Sequence, residues 1–117
     1  MANSSKALLH GTLDALILKT LSWGPRHGYA VARWLEDGAG GAIAVEEGSL
    51  YPALYRMEKK GWIEAEWGVS DLGRKAKIYR LTSLGAKQLR NEVAGWTAFQ
   101  AAVSRILLAD SPAPRPA

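Results

Sequence analysis

Between Ser49 and Gly61 the sequence reads as one amphipathic helix with both of its ends marked. Leu50, Ala53, Leu54 and Met57 recur at i, i+3, i+4 and i+7, so they share one face that has to be buried. Gly61 follows as a residue that tolerates the left-handed backbone of a helix C-terminus. Pro52 restricts the start. With Ser49 as N-cap, Pro52 is the third helical residue, where its missing N–H has no intrahelical partner to lose. That face is expected to pack on the first two helices.

The neighbouring elements are legible on both sides. Leu13, Leu16, Ile17, Thr20 and Leu21 predict a helix from about Thr12 to Ser22, stopped by Gly24-Pro25. A second helix is expected from roughly His27 to Glu36, with Tyr29, Ala32 and Leu35 on one face and Asp37-Gly38 closing it. A glycine-rich stretch then leads to Ala42-Ile43-Ala44-Val45, long enough for a short edge strand. From Trp62 to Val69 the pattern alternates, with Ile63, Ala65, Trp67 and Val69 on one face and Glu64, Glu66 and Gly68 on the other. A turn through Ser70, Asp71, Leu72 and Gly73 and a return strand from Ala76 to Leu81 complete a β-hairpin. Thr82 or Ser83 caps a last helix reaching about Leu108, roughly 35–40 Å long at the usual helical rise. The expected fold is mostly α with a small β-hairpin: a winged helix-turn-helix over residues 1–82 and a long C-terminal helix over 83–108. A disordered Pro- and Ala-rich tail over 109–117 is expected to follow.

Composition narrows the chemistry. At 117 residues and 48% hydrophobic content the chain supports one domain with a real core. It has no cysteine, and its two histidines, His10 and His27, have no carboxylate cluster around them, so neither a disulfide framework nor a metal site is expected. No glycine-rich phosphate loop follows a strand, and no nucleophile–base pair can be drawn, so neither an enzyme nor a cofactor is expected. The polar run Met1 to Lys6 lacks the apolar core of a signal peptide, and the longest apolar stretches contain Asp14, Lys19 or Arg105. The expectation is a cytoplasmic protein with no membrane partner.

A formal charge of +4 permits an acidic partner and identifies none. The arrangement of side chains says more. Around the outside of the third helix lie Ser49, Tyr51, Pro52, Tyr55, Arg56 and Lys59. Hydroxyls, phenols and cations on one helical face suit the DNA major groove, where polar tips reach base edges and phosphates and rings touch thymine methyls. The plainer alternative is a solvated helix whose tyrosines pack locally. The hairpin adds Arg74, Lys75, Lys77 and Arg80 with Asp71 as the nearest acid, and cations on a projecting hairpin suit phosphate or minor-groove contact. Glu64 is placed to neutralise Arg80, which leaves Arg74, Lys75 and Lys77. The alternative here is a hairpin kept soluble by its lysines.

On the last helix Leu89, Val93, Trp96, Gln100, Val103 and Leu107 form a heptad-like seam, with Phe99 and Ile106 beside it. A small three-helix domain cannot cover so long a stripe, whereas a second copy can, with Leu8, Leu9 and parts of the first helix joining the interface. The expected partner is therefore a second copy of the chain, and the two recognition helices of such a dimer, about 34 Å apart, would read a pseudo-palindromic duplex; the plainer alternative is a helix that folds back on its own domain. Trp96 is either interface core or one half of a sandwich for a planar aromatic effector. Trp23, Trp34, Trp62 and Trp67 are expected to be packing residues.

The run Glu46-Glu47-Gly48-Ser49-Leu50-Tyr51-Pro52-Ala53-Leu54, with Arg56 and Glu58-Lys59-Lys60-Gly61-Trp62-Ile63 after it, resembles the PadR family of transcriptional regulators. So do Gly11-Thr12-Leu13-Asp14 before Ile17-Leu18, Gly24-Pro25, His27-Gly28-Tyr29, and Lys77-Ile78-Tyr79-Arg80-Leu81-Thr82. The likeness runs over about residues 7 to 96. It implies a winged-helix dimer that represses by binding an operator, often its own promoter or that of a nearby detoxification or efflux gene, in a family many of whose members respond to phenolic acids or other hydrophobic compounds. By position it places Ser49, Tyr51, Pro52 and Tyr55 on the recognition helix, Tyr29 near the phosphate-contacting second helix, and Lys75 and Lys77 on the wing. A single C-terminal helix resembles the family's short subfamily, in which an effector would have to use the dimer interface around Trp96. A winged-helix module that binds protein and not DNA is the competing reading.

Overall fold

Leu13, Ile17, Leu18 and Leu21 put one face of the first helix into the core, and the remaining elements assemble around that face. A computed structural model describes residues 12–112. Helix α1 (Leu13–Leu21) leads through Gly24-Pro25 to the two-residue strand β1 (Arg26–His27) and helix α2 (Gly28–Gly38). Helix α3 (Glu47–Lys59), strands β2 (Ile63–Val69) and β3 (Lys75–Leu81), and helix α4 (Ser83–Leu107) follow. The strands form one antiparallel sheet in the order β1-β3-β2. This is the winged-helix arrangement with a long C-terminal helix added.

The core lies between the three short helices and the base of the hairpin. Ile17, Leu18, Val31, Leu50, Leu54, Met57 and Ile63 are almost wholly removed from solvent, each contributing roughly 1.5–3 kcal/mol through apolar burial. Thr20 is buried with them, its hydroxyl donating to the Leu16 carbonyl at 2.9 Å. On α2 the buried face is Gly28, Val31 and Leu35. Tyr29, expected to share that face, is instead turned outward and 60% exposed.

Helix α3 begins earlier than the proline implies. Its N-cap is Glu46, whose carbonyl accepts from the Ser49 and Leu50 amides at 3.0 and 2.9 Å. Pro52 is therefore the sixth helical residue, not the third, and cannot donate to the Gly48 carbonyl. The helix tolerates Pro52 because burial of Leu50, Ala53, Leu54 and Met57 holds it.

The strand expected at Ala42–Val45 is not formed. Those residues are an irregular connection whose Val45 is buried and whose Ile43 packs on the core. The place beside β3 belongs to Arg26 and His27, opposite Tyr79 and Ile78. The hairpin has the expected alternation, but only its base is covered: Trp67 and Val69 are 64% and 71% exposed.

Where the hairpin meets α4, backbones approach closely. Thr82 caps α4 by accepting from the Gly85 amide at 3.0 Å, and its hydroxyl also lies 2.6 and 3.0 Å from the Gly61 and Trp62 carbonyls. The Trp62 carbonyl additionally accepts from the Thr82 amide at 3.1 Å. Gly85 is buried against that same carbonyl. Beyond Leu89, α4 leaves the domain, and the protein extends 65 × 33 × 21 Å with a radius of gyration of 17.2 Å. A compact chain of this length would have about 13 Å. Residues 109–112 have no helix or strand. The rest of the tail, with Leu8 and Leu9, lies outside the described residues.

Candidate nucleic-acid interface

Helix α3 turns Pro52, Tyr55 and Lys59 directly away from the core, with Ser49 on one flank and Tyr51 on the other. Tyr55 is 62% exposed, and the Lys59 ammonium lies 5.3 Å from the centre of its ring. Tyr51 leans on the start of α2. A β-carbon on Gly28 would come within 2.8 Å of its ring, so glycine is what lets the two helices approach there. Arg56 does not join this face: its guanidinium pairs with Asp14 of α1. Periodicity makes it an outward cation but says nothing about a carboxylate on another helix.

Tyr29 projects from the N-terminus of α2, next to α3. Its hydroxyl accepts from Arg33 Nη1 at 2.8 Å. That hydrogen bond, followed by the Coulombic pull of Tyr29 and Asp37, raises the guanidinium pKa above its usual value. The sequence pattern does not single out Arg33, because it places Tyr29 on the buried face; the i, i+4 spacing of the two residues is the signal that could have found the pair.

The wing separates charge by face. The register pairs Ile63 with Leu81, Ala65 with Tyr79, Trp67 with Lys77 and Val69 with Lys75. Because side chains alternate along a strand, these residues share the face that turns toward α3, where Ile63 and Tyr79 are buried. The opposite face holds Glu64, Glu66 and Arg80, with Arg80 at 2.9 Å from Glu64 and 3.9 Å from Glu66. Acids and lysines that nearly balance along the sequence are thus sorted onto opposite sides.

The three wing cations are not equivalent. Lys77 Nζ lies 3.1 Å from Glu58 Oε1 at the C-terminal end of α3. This hydrogen bond raises the lysine pKa, and the pair joins wing to helix. Lys77 is therefore a neutralised cation, in contrast to the free one expected. Arg74 and Lys75 are exposed at the tip and have no acidic partner among the described residues. The tip is closed by the Ser70 amide donating to the Arg74 carbonyl at 2.7 Å and by Gly73 in a left-handed conformation at φ 74°.

The remaining predicted residues lie on α4, apart from this surface. Val93, Trp96, Gln100 and Leu107 are exposed, Val103 is half-buried, and Phe99 and Ile106 are exposed beside them. Leu89 differs: it packs against the core of its own domain and does not stand in the open seam. Gln100 donates to Ser104 Oγ at 3.2 Å along the helix. Among the described residues no cluster of His, Asp and Glu could hold a metal ion, and no helix is long and apolar enough to cross a membrane.

Comparison with known proteins places this geometry. Residues 17–91 match the transcriptional regulator PadR-like family. The chain is 35% identical over 89 residues to an uncharacterised protein of Lysinibacillus sphaericus, covering 76% of this chain and 82% of that one. The crystal structure of a PadR-like transcriptional regulator from Bacillus cereus superposes with a TM-score of 0.76 at 33% identity, covering 89% of this chain and 99% of that one. A PadR family transcriptional regulator from Eggerthella lenta superposes with a TM-score of 0.77 at 32% identity, covering 90% of this chain and 89% of that one.

Proposed function

The chain belongs to the PadR-like family of transcriptional regulators, and from that premise we propose that it binds a pseudo-palindromic operator in duplex DNA as a homodimer and represses transcription. The observation that carries the reading is one surface built by two elements. Pro52, Tyr55 and Lys59 stand outward on α3, and the wing turns its lysine-bearing face toward the same helix while its acids face away. In this reading α3 enters the major groove and Tyr51 and Tyr55 touch base edges and methyls. Tyr29, with Arg33, meets a phosphate at the start of α2. Arg74 and Lys75 hold the phosphates flanking the half-site, and Ser49 and Lys59 fix the helix in the groove.

The test is a salt titration on duplex DNA followed by footprinting of fragments selected from the source genome. Binding that weakens steeply with salt, and a footprint of two half-sites about one turn apart, is the expected result. A chain that ignores duplexes at low ionic strength is instead a protein-interaction module. Replacing Arg74 and Lys75 together by alanine is expected to weaken binding to all sequences and to flatten the log–log salt slope by about two, roughly one per lost phosphate contact. Lys77→Ala alone is expected to change that slope less, because Glu58 already neutralises it. Equal slopes for parent and Arg74/Lys75 variant would remove the tip from the interface.

The α4 seam supplies the second half of the proposal. Two copies packed along Val93, Trp96, Gln100, Val103 and Leu107 bring two Trp96 rings near the two-fold axis, where a small planar aromatic compound can insert and release the repressor. In a chain whose other tryptophans are replaced, Trp96 emission is expected to quench on addition of planar aromatics and not of aliphatic acids. A flat response across a varied panel removes the effector.

A further inference from the structure

We infer that Trp67 and Val69 form an apolar ledge on the wing that lies against the deoxyribose edges of the minor groove beside each half-site. The inference rests on the DNA-binding reading above and adds a contact to it. Sequence pattern makes Trp67 a packing residue, yet its ring is 64% exposed and Val69 beyond it is 71% exposed. Among the described residues no apolar side chain is recorded over them, although they occupy the face that begins with buried Ile63. The outward face behaves differently. There the Ile78 side chain folds across Gly68, so the apolar surface of that face is covered from within the hairpin.

What surrounds the ledge specifies its partner. The Lys75 ammonium stands 5.6 Å from the centre of the Trp67 ring, and Lys77 is its cross-strand neighbour. A flat indole beside the free Lys75 ammonium fits a sugar–phosphate backbone, where the ring covers the apolar sugar and the ammonium meets the phosphate. Glu64 and Glu66 occupy the opposite face and repel phosphate, so only one side of the hairpin can turn to the duplex. The Lys77–Glu58 bridge fastens this face to α3. The ledge therefore arrives at the backbone in a fixed relation to the helix that enters the major groove.

The test compares the parent chain with Trp67→Ala and Trp67→Phe on a mixed-sequence duplex and on a selected site, by salt titration and hydroxyl-radical footprinting. Trp67→Ala is expected to lose about five- to tenfold in affinity for both duplexes, in line with removal of an aromatic contact surface. The salt slope stays as in the parent, since no charge is removed. Trp67→Phe is expected to recover most of the affinity. Sugars flanking each half-site, protected by the parent, become open to cleavage in Trp67→Ala. Both variants keep the parent's urea midpoint, because the ring packs against little. If the parent binds duplex DNA and Trp67→Ala binds with the same affinity and footprint, the ledge is refuted and the regulator reading stands. A loss of affinity with unaltered sugar protection makes Trp67 a structural residue and overturns the contact. A parent that binds no duplex overturns both.

Discussion

Gly85→Ala is expected to lower the stability of the folded chain by about 4 kcal/mol or more, enough to shift its urea midpoint far below the parent's. The position is in the first turn of α4, directly over the Trp62 carbonyl, and a β-carbon there would also lie 2.8 Å from Leu81 Cδ1. A flexible side chain could give way, but a backbone carbonyl cannot. That oxygen also accepts from the Thr82 amide and hydroxyl. Lifting α4 to make room therefore breaks the bonds that join it to the hairpin, each contributing roughly 1 kcal/mol. Gly95→Ala on the same helix is the control, since a β-carbon there meets nothing within 4 Å. It is expected to be neutral or stabilising by about 0.5–1 kcal/mol, the usual gain from replacing glycine inside a helix. Similar urea midpoints for the two variants would show that the Gly85 contact does not anchor α4.

Trp96→Glu combined with Leu107→Glu is expected to convert a dimer to a folded monomer and to weaken operator binding by about 10²- to 10⁴-fold, the advantage that linking two half-site contacts normally confers. The reason to expect a folded product is that both side chains are exposed within one chain, at 51% and 74%, so two carboxylates remove little packing from the domain. Sedimentation equilibrium and operator titration give the two readouts. A doubly substituted chain that still sediments as a dimer would move the interface off this seam. Leu89 is unsuitable for such a test. It packs on the domain's own core, and its loss would confuse association with folding.

How much of this was legible from residues alone can be read at particular positions. The 3.6-residue spacing of Leu50, Ala53, Leu54 and Met57 located the buried face of α3, because apolar burial of a helix follows local periodicity. Alternation gave the hairpin, and the Glu64–Arg80 pairing followed from strand register. Thr82 was readable as a cap because a hydroxyl before a helix has a short-range role. The two-residue strand Arg26–His27 was not readable: so short a segment has no period, and only β3 lying beside it makes it a strand. Ser49 carried the residue type of an N-cap, yet the helix starts at Glu47, since core packing outweighs a local cap preference.

The sequence by itself determined the four helices, the hairpin, the buried face of α3 and the open apolar stripe of α4 beyond Leu89, because each depends on residues within a few positions of one another. Tertiary structure decided which charged and aromatic groups remain free to act. Arg56 is tied to Asp14 and Lys77 to Glu58, while Trp67 and Tyr29 are left in the open. Those outcomes depend on contacts between elements far apart in the chain, and Coulombic pairing and solvent exposure are set by distance in space, which no spacing along the sequence encodes.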